Sequence, residues 1–165
     1  MAKNFSFDIV SQIDLQEVDN AVNQAKKEVQ QRYDLKDSKT EIELNKKENV
    51  ISIISKDDYS LKASIDILQS KFLKRGISLK AMKPSEPETT SQGRLKITIS
   101  LQSGISKENA KKITKLIKDL GIKINSQIMD EQVRVQGPNK DDLQTVINTV
   151  KSADLDFPVQ FTNYK

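Results

Sequence analysis

The sequence predicts an α+β fold built from two tandem ferredoxin-like domains. Apolar residues recur first at every second position and then at every third or fourth, and this change of period repeats in the order strand, helix, strand, strand, helix, strand in both halves of the chain. A polar segment rich in Pro, Ser, Glu and Thr separates the two copies near residue 90. In this plan two helices cover one face of each antiparallel sheet, and the other face stays open.

The first copy opens with a strand, because Phe5, Phe7 and Ile9 occupy alternate positions. Asp14 is a helix N-cap, and Gly76 ends the second helix of this copy. The predicted elements are strands over residues 5–13, 41–45, 50–55 and 77–82, and helices over residues 15–33 and 57–75.

The second copy begins with the clearest half-buried strand, in which Leu95, Ile97 and Ile99 alternate with polar residues. Ser106 caps the following helix and Gly121 closes it. The predicted elements are strands over residues 95–101, 122–129, 132–136 and 157–161, and helices over residues 107–120 and 140–150.

The joint between the copies, residues 84–93, contains two prolines and no apolar side chain. Such a segment has nothing to bury, so we expect a mobile linker. The predicted domains are therefore residues 1–90 and residues 91–165.

Composition excludes several classes of chemistry. The chain has no cysteine and no histidine, which removes disulfides, thiolate nucleophiles, Cys/His zinc sites and His-dependent catalytic triads. We expect neither a cofactor nor a metal, and no enzymatic activity. The start of the chain has no apolar signal region, and no stretch is long and apolar enough to span a membrane, so we expect a cytoplasmic protein without a membrane partner.

The positive charge is uneven along the chain. Residues 1–90 hold 15 Lys and Arg against 15 Asp and Glu, whereas residues 91–165 hold 12 against 8, for a net charge of +4. This excess is compatible with a phosphate-bearing partner and equally with an ordinary hydrated surface.

Strand alternation predicts a cationic, amide-rich open face on the second copy. Cations for phosphate contacts and amides for directional hydrogen bonds are expected there together, which suits nucleotides. The predicted cations are Lys96, Lys123 and Arg134, and the predicted amides are Asn125 and Gln136. The corresponding face of the first copy carries Glu41 and Glu43 and is expected to repel phosphate.

Two further basic features have alternative interpretations. The loop after the first helix offers a second basic lip from Arg32, Lys36 and Lys39, or else a helix end where Tyr33 packs into the core and Arg32 pairs with an acid. A row of lysines on the third helix is either a track for phosphates or a solvated face. An adaptor that contacts an acidic protein is therefore the alternative to nucleotide binding.

Several runs of residues, in order and nearly end to end, resemble the bacterial YajQ family. They are residues 7–11, 32–36, 38–40, 42–45, 104–106, 110–113, 133–135 and 161–164. Leu35 departs from the resemblance, because the usual run has Phe at this position.

The resemblance implies a nucleotide-binding protein with two RNA-recognition-like halves. It further implies exchange of the first strands, with residues 5–13 completing the second sheet and residues 95–101 the first. Cyclic di-GMP is the ligand implied for some members, GTP or ATP are other candidates, and RNA or a transcription-related protein are the implied partners.

Overall fold

The structure is a computed structural model that describes residues 4–165. Its strands are β1 (Phe5–Val10), β2 (Glu41–Asn45), β3 (Val50–Ser55), β4 (Met82–Pro84), β5 (Glu88–Thr89), β6 (Leu95–Leu101), β7 (Asn125–Met129), β8 (Gln132–Gly137) and β9 (Gln160–Thr162). Its helices are α1 (Leu15–Gln31), α2 (Asp58–Lys74), α3 (Lys107–Lys118) and α4 (Lys140–Ser152), with a 3₁₀ turn at Leu79–Ala81. The fold is α+β with two antiparallel sheets, as predicted.

The chain forms two compact units, which we call the central unit and the terminal unit. The central unit is Ile13–Gln102, and the terminal unit joins the residues before 13 to Ser103–Lys165. The central sheet has the order β2-β3-β6-β4, with β5 also paired to β6, and the terminal sheet has the order β7-β8-β1-β9.

Each unit buries its own core between one sheet face and two helices. In the central unit, Val22 and Phe72 from the helices pack with Ile51 and Ile99 from the sheet. In the terminal unit, Ile113 and Val146 play the same part against Phe7 and Val135. These are the apolar stripes that the helical and strand periods predicted.

Strands β1 and β6 are interior strands of their sheets, and the partners of β1 lie more than 120 residues away in the sequence. Strand β1 pairs with β8 and β9, and β6 pairs with β3 and β4. A boundary at residue 90 differs from this division, because it would place β1 in one domain and its two neighbours in the other.

Two segments between α2 and β6 differ from their predicted structure. The strand predicted over residues 77–82 is instead a 3₁₀ turn, capped by the Ser78 hydroxyl, followed by the short β4. The predicted mobile linker pairs with β6, placing Glu88 opposite Lys96 and Thr89 opposite Leu95. Backbone and hydroxyl hydrogen bonds hold this polar segment at the sheet, so it needs no apolar side chain to be ordered there.

Helix termini follow the predicted chemistry. Asp14, Asp57 and Ser106 each accept hydrogen bonds from backbone amides in the first turn of α1, α2 and α3. Gly76, after α2, has a φ of +74°, a backbone conformation that glycine adopts without steric cost. None of the four helices within residues 4–165 has the length and apolar character needed to cross a membrane.

Candidate functional site

The predicted cationic face of the terminal unit contains a carboxylate. Asp8, on β1, lies directly opposite Arg134 on β8. Arg134 Nε donates to Asp8 Oδ1 at 2.9 Å, and Asn163 Nδ2 donates to Asp8 Oδ2 at 2.9 Å. The hydrogen bond from Arg134 is the main cause that holds the pKa of Asp8 below its ordinary value. The charge of Arg134 is therefore largely compensated within the protein.

The other predicted residues of this face lie at its β7 edge. Asn125 is opposite Gln136 in the sheet, and the exposed Lys123 precedes β7. A small polar surface is therefore formed by Asn125 and Gln136, which are cross-strand neighbours, together with Lys123. The positive charge of this sheet face is weaker than the sequence predicted, because Asp8 compensates the charge of Arg134.

Lys96 does not share this face, because β6 belongs to the central sheet. It lies opposite Ile54 on β3 and Glu88 on β5. Glu41 pairs with Ile54 in the same row of the sheet. Lys96 therefore has Glu88 as a cross-strand neighbour, and it belongs to a different compact unit from Lys123 and Arg134.

The loop after α1 uses part of its charge internally. Arg32 donates two hydrogen bonds to the Asp34 carboxylate, at 3.0 and 2.8 Å. The Tyr59 hydroxyl donates to the same carboxylate at 2.6 Å. Arg32 first and Tyr59 second hold the pKa of Asp34 below its ordinary value. Of the two interpretations of Arg32, a basic lip or a pair with an acid, the structure shows the pair with an acid.

The remaining residues of this loop divide between surface and core. Tyr33 is 87% exposed, so it is not the core contact that the sequence allowed. The Lys36 ammonium lies 5.0 Å from the centre of the Tyr33 ring, within range of a cation–π contact. Leu35 is fully buried in the central core, and Lys39 has a φ of 52°. The loop therefore presents Lys36 and Tyr33 together on the surface.

Arg94, which no sequence pattern singles out, anchors this loop from the position just before β6. Its guanidinium donates to the backbone carbonyls of Lys39, Ser38 and Ile54. It also lies 3.7 Å from the Glu41 carboxylate. The sequence carries no signal for this anchoring role of Arg94, because backbone carbonyls are present at every residue and leave no residue pattern.

A cleft in the terminal unit combines aromatic rings with ammonium groups, and we call it the β1–α4 cleft. It has a volume of about 380 Å³. Its lining residues are Phe5, Ser6, Phe7, Lys140, Leu143, Gln144, Ile147, Tyr164 and Lys165. These side chains include two lysines and no acid, so the cleft favours an anionic group beside a planar or apolar one.

Backbone pairing and ring contacts position the walls of the β1–α4 cleft. Ser6 and Lys165 exchange two backbone hydrogen bonds, at 3.1 and 2.9 Å, which extends the sheet beyond β9. The Tyr164 ring lies 6.0 Å from the Phe7 ring and is 63% exposed. From the first turn of α4, the Lys140 ammonium lies 5.0 Å from the centre of the Phe5 ring. Sequence periodicity gives no information that would bring Tyr164 to α4.

The other cavities have different chemistry. One in the central unit, of about 430 Å³, mixes Asp58 and Asp66 with Arg32 and Lys62, so its acids oppose anion binding. Among residues 4–165, no group of three acidic side chains converges as a metal site would require.

Comparison with known proteins decides the family. Residues 5–165 match the family described as nucleotide-binding protein YajQ-like. This chain belongs to the YajQ-like family. A protein of Chloroherpeton thalassium named nucleotide-binding protein is 50% identical over 165 residues, covering all of both chains. Proteins of the same name from Alkaliphilus oremlandii and Geotalea daltonii are 56% and 53% identical, covering 100% and 97% of this chain, and 100% and 98% of their own.

Two of the runs that carry the YajQ-like resemblance lie at the features described above. Residues 32–36 form the loop with the exposed Tyr33, and residues 161–164 form the segment that brings Tyr164 to the β1–α4 cleft. The two runs belong to different compact units. Each of the two runs thus contains one exposed tyrosine.

Proposed function

We propose that this protein binds a nucleotide in the β1–α4 cleft and does not convert it chemically. The observation that carries the proposal is that two lysines and an exposed tyrosine line one cleft that has no acidic side chain. Membership of a family described as nucleotide-binding supports it. The names of relatives at least 50% identical to this chain, nucleotide-binding protein, also support the proposal.

Each wall of the cleft has a part in this proposal. A base stacks on Tyr164, since a flat aromatic ring accepts any base and contributes roughly 1–3 kcal/mol per base. Lys140 and Lys165 contact the phosphate through their ammonium groups. Gln144 and Ser6 provide hydrogen bonds to the edges of the ligand.

The predicted sheet residues become secondary contacts in this proposal. Lys123, Asn125 and Gln136 offer an accessory polar surface on the terminal unit, with Arg134 restrained by Asp8. In the central unit, Lys36 beside Tyr33 is the strongest part of the predicted basic lip, while Arg32, Lys39 and Lys96 contribute charge alone.

The absence of turnover is part of the proposal. The described lining of the cleft has no side-chain carboxylate, thiol or imidazole to act as a nucleophile or general base. We therefore propose a regulator that responds to a nucleotide, with cyclic di-GMP, GTP, ATP and short RNA as candidate ligands, and that acts through a partner such as a transcription-related protein.

Calorimetric titration tests the proposal on the purified chain. Each of the four candidate ligands is titrated in turn, and the tightest is carried forward. Replacing Lys140→Gln together with Lys165→Gln removes both ammonium groups, and we expect a loss of affinity of about tenfold or more, since charge-assisted contacts to phosphate are the strong ones.

The matched control is Lys47→Gln with Lys56→Gln, two exposed lysines of the central unit, which lowers the net charge equally. We expect the control to bind like the wild-type protein. Equal weakening in both double variants would mean that overall charge, and not the cleft, holds the ligand. Failure of all four ligands to bind the wild-type chain would refute nucleotide binding itself.

A further inference from the structure

One edge of the terminal sheet is left open beside a second cavity. Strand β7 is the outer strand of the order β7-β8-β1-β9, so one side of its backbone has no strand partner among residues 4–165. A cavity of about 540 Å³ lies between this edge and the last turns of α3. Its lining residues are Thr114, Lys115, Ile117, Lys118, Ile122, Ile124, Asn125 and Ser126.

Apolar and cationic side chains meet at this edge. Ser126 and Ile128 lie opposite the buried Val135 and Val133, so they belong to the face that α3 covers. Ile128 is nevertheless 42% exposed, since no strand lies beyond β7 to cover it. Lys115 and Lys118 lie on the adjacent side of the cavity, and α3 carries five lysines against one glutamate.

We propose that the open edge of β7, together with the C-terminal half of α3, is a docking site for an extended, acidic segment of a partner protein. The segment adds a strand to the terminal sheet by backbone hydrogen bonding to β7. Its acidic side chains contact Lys115 and Lys118. This interaction is separate from nucleotide binding in the β1–α4 cleft and does not depend on it.

The geometry of a strand defines the side-chain pattern of this partner. Side chains on one face of an added strand are two residues apart. The residue beside Ile128 covers an exposed apolar side chain and is therefore apolar. The residue beside Ser126, two positions away on the same face, approaches the two lysines and is therefore acidic.

Two other occupants fit this edge less well. Single-stranded nucleic acid is bound through aromatic stacking, and the cavity is lined by aliphatic and polar side chains without an aromatic ring. A second copy of this chain pairing through β7 would bring the lysines of two α3 helices together, and like charges repel. An extended acidic peptide can pair with the backbone of β7 and also place carboxylates beside Lys115 and Lys118.

Binding is measured with a synthetic peptide of about eight residues, a usual strand length, with Thr at every second position and Glu and Val alternating between them. Lys115→Gln with Lys118→Gln is expected to weaken its binding about tenfold, because both interfacial charge pairs are lost. Ile128→Thr is expected to weaken binding about fivefold, because the apolar contact is lost. The control Lys47→Gln with Lys56→Gln removes the same charge elsewhere and leaves binding unchanged.

Backbone methylation of the peptide tests the strand geometry directly. In a paired strand, the amides of every second residue point to the neighbour and the others point away. Two peptides, methylated at the nitrogens of odd or even residues, are therefore expected to behave differently, one binding and the other not. Binding of both, or no binding of the unmodified peptide to the wild-type chain, overturns the proposal. Tighter binding of RNA at the same lysines, or dimerisation abolished by Ile128→Thr, assigns the edge to another partner and overturns it too.

Discussion

At the scale of single residues, Asp8 links three strands of the terminal unit. Its carboxylate lies on β1, accepts hydrogen bonds from Arg134 on β8 and accepts another from Asn163 just after β9. The side chain is almost fully buried, so these bonds replace water that the carboxylate would otherwise keep. Because Tyr164 follows Asn163, the same network holds the aromatic wall of the β1–α4 cleft.

Replacing Asp8→Asn should lower the free energy of unfolding near pH 7 by about 1–2 kcal/mol, since charge-assisted hydrogen bonds become neutral ones. The pKa of Asp8 is lowered from its ordinary value of 3.8, mainly by the hydrogen bond from Arg134. A lowered folded-state pKa stabilises the protein above that ordinary value, and the stabilisation is lost as the pH falls through the lower folded-state pKa. The difference between wild type and variant should therefore close below about pH 3.8.

Urea unfolding at a series of pH values measures this effect. The exposed Asp154→Asn makes the same charge change in the same unit and should leave the unfolding free energy nearly unchanged. A constant difference between Asp8→Asn and wild type at every pH would show that lost packing, and not the ionised carboxylate, is responsible.

At the scale of elements, Arg94 joins three pieces of the central unit. From the position just before β6 it donates to carbonyls in β3 and in the loop before β2, and it approaches the carboxylate of Glu41 on β2. The hairpin of β5 and β6 positions Arg94, because Thr90 and Arg94 are hydrogen-bonded across the turn. The turn between β5 and β6 thus positions Arg94, and Arg94 in turn holds the loop that presents Tyr33 and Lys36.

Arg94→Lys should release this loop while keeping the charge. The lysine ammonium cannot donate to all three of the backbone carbonyls that Arg94 contacts. We therefore expect the free energy of unfolding to fall by about 1–2 kcal/mol and amide exchange at residues 38–40 to become faster. Hydrogen exchange followed by NMR measures both local and global opening. Lys47→Gln serves as a control at an exposed position, and unchanged exchange at residues 38–40 in Arg94→Lys would show that the loop is held by other contacts.

The same elements show what the sequence could predict. The four helices and the two hairpins follow from apolar period, capping residues and turns, which are local properties. The β5 segment was missed because its order comes from backbone pairing with β6 and leaves no apolar pattern. Residues 77–82 were misassigned because a run of alternating apolar residues also fits a 3₁₀ turn followed by a short strand.

The candidate site was harder to predict than the fold for a related reason. Alternation gives the face of a strand but not its neighbour, so Lys96 was placed beside Lys123 and Arg134 instead of beside Glu88. The β1–α4 cleft joins β1, α4 and the last residues of the chain, which are far apart in sequence. Only long-range pairing brings them together, and periodicity carries no information about it.

At the scale of the whole molecule, strand pairing redistributes the charge. Counted by compact unit, residues 13–102 hold 16 Lys and Arg against 14 Asp and Glu, and the remaining residues hold 11 against 9. Each unit therefore has a net charge of +2, and the excess in the second half of the sequence does not single out one unit. Attraction of an anion depends on local clusters, such as the cleft lysines or the α3 lysines, more than on net charge.

Strand pairing also predicts which pieces of the chain can fold alone. The fragments 13–102 and 1–90 have equal length, but the first contains β6 and the second does not. Strand β6 buries Ile97, Ile99 and Leu101 in the centre of the central sheet. At about 1.5–3 kcal/mol for each side chain, its loss removes roughly 5–9 kcal/mol, comparable with the 5–15 kcal/mol that stabilises a typical domain.

We therefore expect fragment 13–102 to unfold cooperatively and to give dispersed amide resonances. Fragment 1–90 should lack both properties, because it carries β1 without its sheet partners and the central sheet without its interior strand. Circular dichroism melts and amide NMR spectra of the two fragments provide the measurement. Adding a peptide of residues 91–102 to fragment 1–90 should restore the dispersed spectrum, since it supplies β6 in trans. A well-folded fragment 1–90 without the peptide would mean that its sheet closes without β6, and the pairing of β6 with β3 and β4 would then not be required for folding.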